Sequence, residues 1–150
     1  EWLSWVDKNS KIEGVIEFIN SSRQHYLSNQ GFQVGIWYQN ELCGLISFHN
    51  LNWENRNTSM GYWLGEKYQG RGIMTKTCKA LLNYAFTELK LHRVEIRCAE
   101  MNHRSRAIPE RLGFTREGMS REAEWLYDHF VNHIVYSILA EEWPPFEAEK

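Results

Sequence analysis

Cysteine, long apolar runs and net charge are all scarce in this chain, and each scarcity removes a class of protein. The three cysteines, Cys43, Cys78 and Cys98, are odd in number and fall in separate predicted elements. That spacing builds neither a disulfide framework nor a zinc site, and it points to a reducing cytoplasm. The six histidines form no metal motif: His129 and His133 stand four apart, but in a predicted turn and strand rather than on a helix. No apolar run nears the roughly 20 residues that span a bilayer, and no signal peptide is visible. A net charge of -2 leaves no footprint for direct nucleic-acid or membrane binding.

What remains is enough for a core. Hydrophobic residues make up 43% of 150, which suits one domain over residues 1–150. Seven Trp, seven Tyr and seven Phe exceed what such a core usually needs, so a homo-oligomer interface is one expected use for the surplus. Residues 2–6 read as a short apolar turn or helix. Ile12, Val15, Ile16, Ile19, Tyr26 and Leu27 recur at helical intervals, and Gly31 closes that segment. Strands are expected at residues 33–38 and 42–48, joined by a tight Gln39-Asn40-Glu41 hairpin, and then a polar loop over residues 50–57. A strand over residues 59–64, a long helix, a strand over 93–99 and a short helix follow. Residues 115–125 and 131–139 read as the last two strands, before Pro144-Pro145. This order predicts an α/β (α+β) fold: a mixed, mostly antiparallel sheet with helices on both faces.

The segment Tyr68-Gln69-Gly70-Arg71-Gly72-Ile73-Met74 carries the chemistry. It lies where the chain turns from strand into helix, since Ile73, Met74, Cys78, Leu81, Leu82, Ala85, Phe86 and Leu89 keep helical spacing. Glycine leaves no side chain in the way of a ligand. The first amides of a helix lack intrahelical partners and face an anion favourably. Arg71 adds a full positive charge. The expected use is a pyrophosphate cradle. No Gly-Lys-Ser/Thr follows, so it is not a P-loop, and no third glycine makes it a dinucleotide fingerprint.

Downstream, Asn102 is a good helix N-cap type, and Gly113 suits the left-handed position that ends a helix. Gln-x-x-Gly, a strand, then Asn102-x-x-Ser105 and a short helix ending in Leu112-Gly113-Phe114 together resemble the GNAT superfamily of acetyl-CoA-dependent N-acetyltransferases. Gly-Arg-Gly-Ile-Met-Thr, Asn-x-x-Ser-x-x-Ile and Arg-Glu-Ala-Glu-Trp resemble its RimL-like branch, which includes ribosomal-protein N-terminal acetyltransferases. The match covers roughly residues 41–143. That family opens with a strand and helix, and this chain starts at Glu1 without a methionine. The domain is therefore read as N-terminally incomplete, with the first strand in question.

The resemblance implies acetyl-CoA as co-substrate, no metal, and direct transfer through a ternary complex. Its pyrophosphate would lie on Gln69, Gly70, Arg71, Gly72, Ile73, Met74 and Thr75, and its pantetheine arm on main-chain groups of Leu64 and on Asn102. Met74 replaces the usual small residue, and its side chain is expected to turn into the core. The family's tyrosine acid is replaced by Pro109, so Ser105 becomes the implied acid, with simple helix initiation as its other reading. Glu124 matches the implied base. Glu122 lies two residues away and is expected on the same side of a strand, unless both belong to a solvated charged face. Absence of a strong base favours an α-amine, because at pH 7.4 roughly a quarter of α-amines are neutral against about one lysine in a thousand. The expected acceptor is the N-terminus of a (ribosomal) protein. Small amines such as polyamines, or a non-catalytic acyl-CoA-binding module, are the rivals.

Overall fold

The computed structural model describes residues 2–3 and 11–144. Ten elements follow one another: α1 (Ile12–Leu27), β1 (Phe32–Tyr38), β2 (Glu41–Asn52), β3 (Asn57–Leu64), a 3-10 turn (Glu66–Tyr68), α2 (Ile73–Thr87), β4 (Arg93–Ala99), α3 (His103–Arg111), β5 (Thr115–Leu126) and β6 (His129–Leu139). Six strands form one sheet in the order β1-β2-β3-β4-β6-β5, antiparallel except where β3 meets β4. The short apolar segment expected near the start lies mostly outside the described residues.

Local chemistry explains the connections. Gln39 and Asn40 both take positive φ, +50° and +64°, as a two-residue hairpin of matching twist requires. The polar loop expected over residues 50–57 is shorter than anticipated, because β2 runs on through Asn52 and β3 begins at Asn57. Asn50, at φ +52°, marks the irregularity in that ladder. The last hairpin also tightens, to Tyr127 and Asp128.

Strand alternation divides the sheet into two unlike faces. One carries Ile46, Phe48, Met60, Val94, Ile96, Cys98, Ile134, Tyr136 and Ile138, all buried, and α2 lays Met74, Cys78, Leu82 and Ala85 against that core. Spacings of four, four and three keep those α2 side chains on one stripe. Burial of a side chain the size of Met74 or Leu82 stabilises by about 1.5–3 kcal/mol. The opposite face carries Ser59, Arg93, Glu95, Arg97 and Ser137, where Arg93 grips Glu117 through both carboxylate oxygens and Glu95 at 2.8 Å. The first helix, α1, rests against the β1 edge with none of its residues fully buried. No helix among the described residues is long and apolar enough to cross a membrane.

One irregularity sets up the site. The parallel pair β3–β4 is joined only at Asn57–Arg93, Thr58–Val94 and Ser59–Glu95. Beyond that, β3 follows β2 as far as Leu64 and β4 follows β6 as far as Ala99. The sheet therefore opens into a wedge at the carboxyl ends of two parallel strands, and α2 and α3 both start beside it. That is where open α/β sheets bind ligands.

Candidate active site

The loop between β3 and α2 is built from backbone. Gly70 and Gly72 take φ of +73° and +74°, the left-handed region, and a Cβ added to either would meet nothing within 4 Å. The glycines are thus required by conformation, and the space beside them is open to a ligand. Gly72 is the N-cap of α2 and supplies no side chain to its amides; the first intrahelical bond runs from Lys76 N–H to the Gly72 carbonyl at 3.0 Å. Helix geometry leaves the amides of Ile73, Met74 and Thr75 pointing outward. Met74 is only 6% exposed, so its bulk is stored in the core, as anticipated.

Three arginines surround those amides. Arg71 places its guanidinium 6.0 Å from the centre of the Tyr38 ring. Arg104 and Arg111, two turns apart on α3, donate to Gln69 Oε1 at 3.0 Å and Thr75 Oγ1 at 2.8 Å. Among the described residues none of the three has a carboxylate partner. Uncompensated positive charge at a helix N-terminus is an anion site. Gln69 also donates to the Leu64 carbonyl at 3.1 Å, so that group is engaged rather than free. Among the described residues, the β3 edge between Ser59 and Leu64 still has no strand opposite it on the wedge side.

On the core face of the wedge, three hydroxyl and thiol groups meet. Asn102 Oδ1 caps α3 by accepting from Ser105 N–H at 3.1 Å, which leaves the Asn102 amide donors for another partner. Ser105 Oγ lies 3.3 Å from Cys98 Sγ and 3.5 Å from the Tyr62 hydroxyl. Pro109 has a further consequence here. It has no N–H, so the Ser105 carbonyl loses its helical partner, and the Tyr62 hydroxyl donates to that carbonyl instead at 3.0 Å. Burial pushes Tyr62 well above its ordinary pKa and raises Cys98 too, so both stay protonated at neutral pH. Arg106 fastens the helix by donating to the Tyr136 hydroxyl and to the Glu100 carbonyl.

The other face of the wedge carries a different pair. Glu124 Oε2 and His133 Nε2 are 3.0 Å apart, with side-chain exposures of 34% and 18%. His133 sits opposite Ala99, the last residue of β4. Glu122 does not accompany Glu124 as strand alternation predicts. A bulge between Ser120 and Glu124 interrupts the ladder, and Glu122 turns to φ +49° with its amide held by Asn132 Oδ1. A run of alternating residues cannot announce a bulge, so the paired-carboxylate expectation fails there.

These features find counterparts in known proteins. The family model described as "Acetyltransferase (GNAT) domain" matches residues 1–115. The chain belongs to the GNAT acetyltransferase family. The Bacillus subtilis (strain 168) protein named "Putative ribosomal N-acetyltransferase YdaF" is 40% identical over 153 residues, covering 100% of this chain and 81% of its own length. Among solved structures, RimL, a ribosomal L7/L12 alpha-N-protein acetyltransferase in complex with coenzyme A, is similar at a TM-score of 0.88 and 28% identity, covering 92% of this chain and 78% of its own. The microcin C7 self-immunity acetyltransferase MccE, in complex with acetyl-CoA and AMP, is similar at 0.85 and 28%, covering 92% and 77%.

This chain is therefore a GNAT N-acetyltransferase. Its sequence motifs had not singled out four of the residues described above. Tyr62 shares a face of β3 with Met60 and Leu64, and Arg104 and Arg111 share a face of α3, so their placement was readable though their use was not. In the sequence His133 stands out only by its four-residue spacing from His129.

Proposed function

We propose that this enzyme acetylates the N-terminal α-amine of a protein, in the class of ribosomal proteins, by direct attack on the thioester of acetyl-CoA. The observation that carries the reading is the disposition of the wedge, with the Ser105 cluster on one face and the Glu124–His133 pair on the other. An amine entering beside the carboxylate attacks the carbonyl carbon while sulfur departs toward the opposite face. The amides from Gly70 to Thr75 and the three arginines hold the pyrophosphate. The Asn102 amide donors and the open β3 edge up to Leu64 hold the pantetheine arm.

Ser105 directs its hydroxyl at the departing sulfur, and Tyr62 and Cys98 keep that hydroxyl among protonated groups. Glu124 serves the amine. A carboxylate is too weak a base to strip a lysine near pKa 10.4 but adequate for an α-amine near 7.7–8.0, which favours N-termini. The names of the relatives point the same way.

The test is an acetylation screen of purified enzyme against short peptides with free N-termini, the same peptides with blocked N-termini and internal lysine, and polyamines. Turnover confined to free N-termini is expected. Faster turnover of polyamines would replace this reading with a small-amine acetyltransferase.

A further inference from the structure

We infer that His133 is the general base of this enzyme, taking the proton of the acceptor amine, and that Glu124 acts through it as a positioning residue. The inference rests on the direct-transfer reading above and changes the proton's destination. His133 Nε2 meets Glu124 Oε2 at 3.0 Å, and among the described residues no partner occupies Nδ1. A carboxylate holding one imidazole nitrogen fixes the tautomer, so Nε2 carries the hydrogen and Nδ1 the lone pair. When Nδ1 takes a proton, the resulting imidazolium already has its counter-ion in contact, the arrangement that serves the histidine of a catalytic triad.

Position supports the role. β6 pairs His133 with Ala99, the residue at which β4 ends beside the wedge, and Ile134 next to it points into the core, so His133 faces the amine side. It is 18% exposed, enough for a proton to reach and too little for an idle surface residue. Glu124, opposite Val131, stands one register step further from Ala99.

The charge surroundings are simple. From β5 the facing group is Glu124, and the charges of Arg121 and Glu122 lie in the exposed bulge next to it. From β4 the nearest is Arg97, two residues before Ala99 on the same face, and its charge is taken by Glu95 at 2.6 Å. Glu100, just past β4, is held by the Asn132 amide at 2.9 Å. An imidazole also suits the task better than a carboxylate. Proton transfer from an α-amine to an ordinary carboxyl is uphill by about 3.5 pH units, against about 1.4 for an ordinary imidazole.

The step balances. One N–H bond of the acceptor ammonium breaks as an N–H bond forms at Nδ1, and the freed pair on the amine nitrogen attacks the thioester carbon. Sulfur leaves with the C–S electron pair and takes, by way of the Ser105 hydroxyl, the second proton that the nitrogen sheds on becoming an amide, while the first proton ends on His133, to be lost to solvent.

The test compares His133→Gln, His133→Ala and Glu124→Gln on whichever acceptor the screen identifies, with acetyl-CoA affinity and circular dichroism as controls of folding. His133→Gln should lower kcat/KM by about 100-fold at pH 7 and abolish the ascending limb of the pH profile, while acetyl-CoA affinity holds. Added imidazole should restore His133→Ala in part, and an amine of low pKa, already neutral at pH 7, should need no restoring. Glu124→Gln should lose less and keep an ascending limb, moved to lower pH, because the imidazolium has lost its counter-ion. A folded His133→Gln enzyme with a wild-type profile, or Glu124→Gln alone removing the limb, overturns the inference and leaves the acceptor reading standing. Wild-type enzyme inactive on every amine overturns the acceptor reading and the base with it.

Discussion

The two sides of the wedge do related work with different materials. The donor side is mostly backbone: amides at the start of α2, two glycines at positive φ, and an unpaired stretch of β3. The acceptor side is mostly side chain: Glu124 and His133, brought together from adjacent strands across a bulge. Backbone donors are fixed by chain geometry and, on the function proposed above, serve a pyrophosphate common to every acyl-CoA, so few sequences satisfy them. Side chains on strands are exchangeable one at a time, which lets a shared scaffold serve different acceptors.

The sharpest way to break this comparison is Gly72→Asp, which sets a negative charge and a strained φ where the anion belongs. Acetyl-CoA affinity should fall on the order of 10²–10³-fold by calorimetry with the fold intact. Retained affinity would mean that the backbone loop is not the donor site. Next comes Ser105→Ala, expected to cut kcat by about 10²-fold at neutral pH with acetyl-CoA binding preserved. That loss should shrink at high pH, where the thiolate leaves without a proton. A mutant that loses only affinity would make Ser105 a capping residue and move the donor side further toward pure backbone.

Arg111→Ala asks how much side-chain charge the donor side needs. A weakening of about 5–10-fold is expected, shrinking as salt is added, because exposed charge is screened. An effect as large as that of Gly72→Asp would erase the backbone-versus-side-chain distinction. The smallest effect should be that of Tyr62→Phe, which strands the Ser105 carbonyl that Pro109 released. About 1–3 kcal/mol of stability should be lost in urea denaturation, with acetyl-CoA affinity nearly unchanged. No loss would show that water replaces the phenol there.

Legibility in the sequence followed the same division. Hydrophobic spacing located α2, and alternation placed β4 at Arg93–Ala99 as expected. The glycines, Asn102 and Ser105 stood in an order that resembled one family, and the family model bore that out. Nothing in a linear reading says that the Gln69 side chain folds back on the Leu64 carbonyl. Glu122 was expected beside Glu124 and is turned away by the bulge.

By itself, then, the sequence determined the elements, their order and the glycine loop ahead of α2, because helical period, strand alternation and glycine conformation are local properties. Only the tertiary structure decided where β3 and β4 part, that Tyr62 fills the bond Pro109 leaves open, and that Glu124 meets His133. Each of these depends on register between strands or on packing of a helix against a sheet. Such contacts join residues far apart in the chain, and no local pattern encodes them.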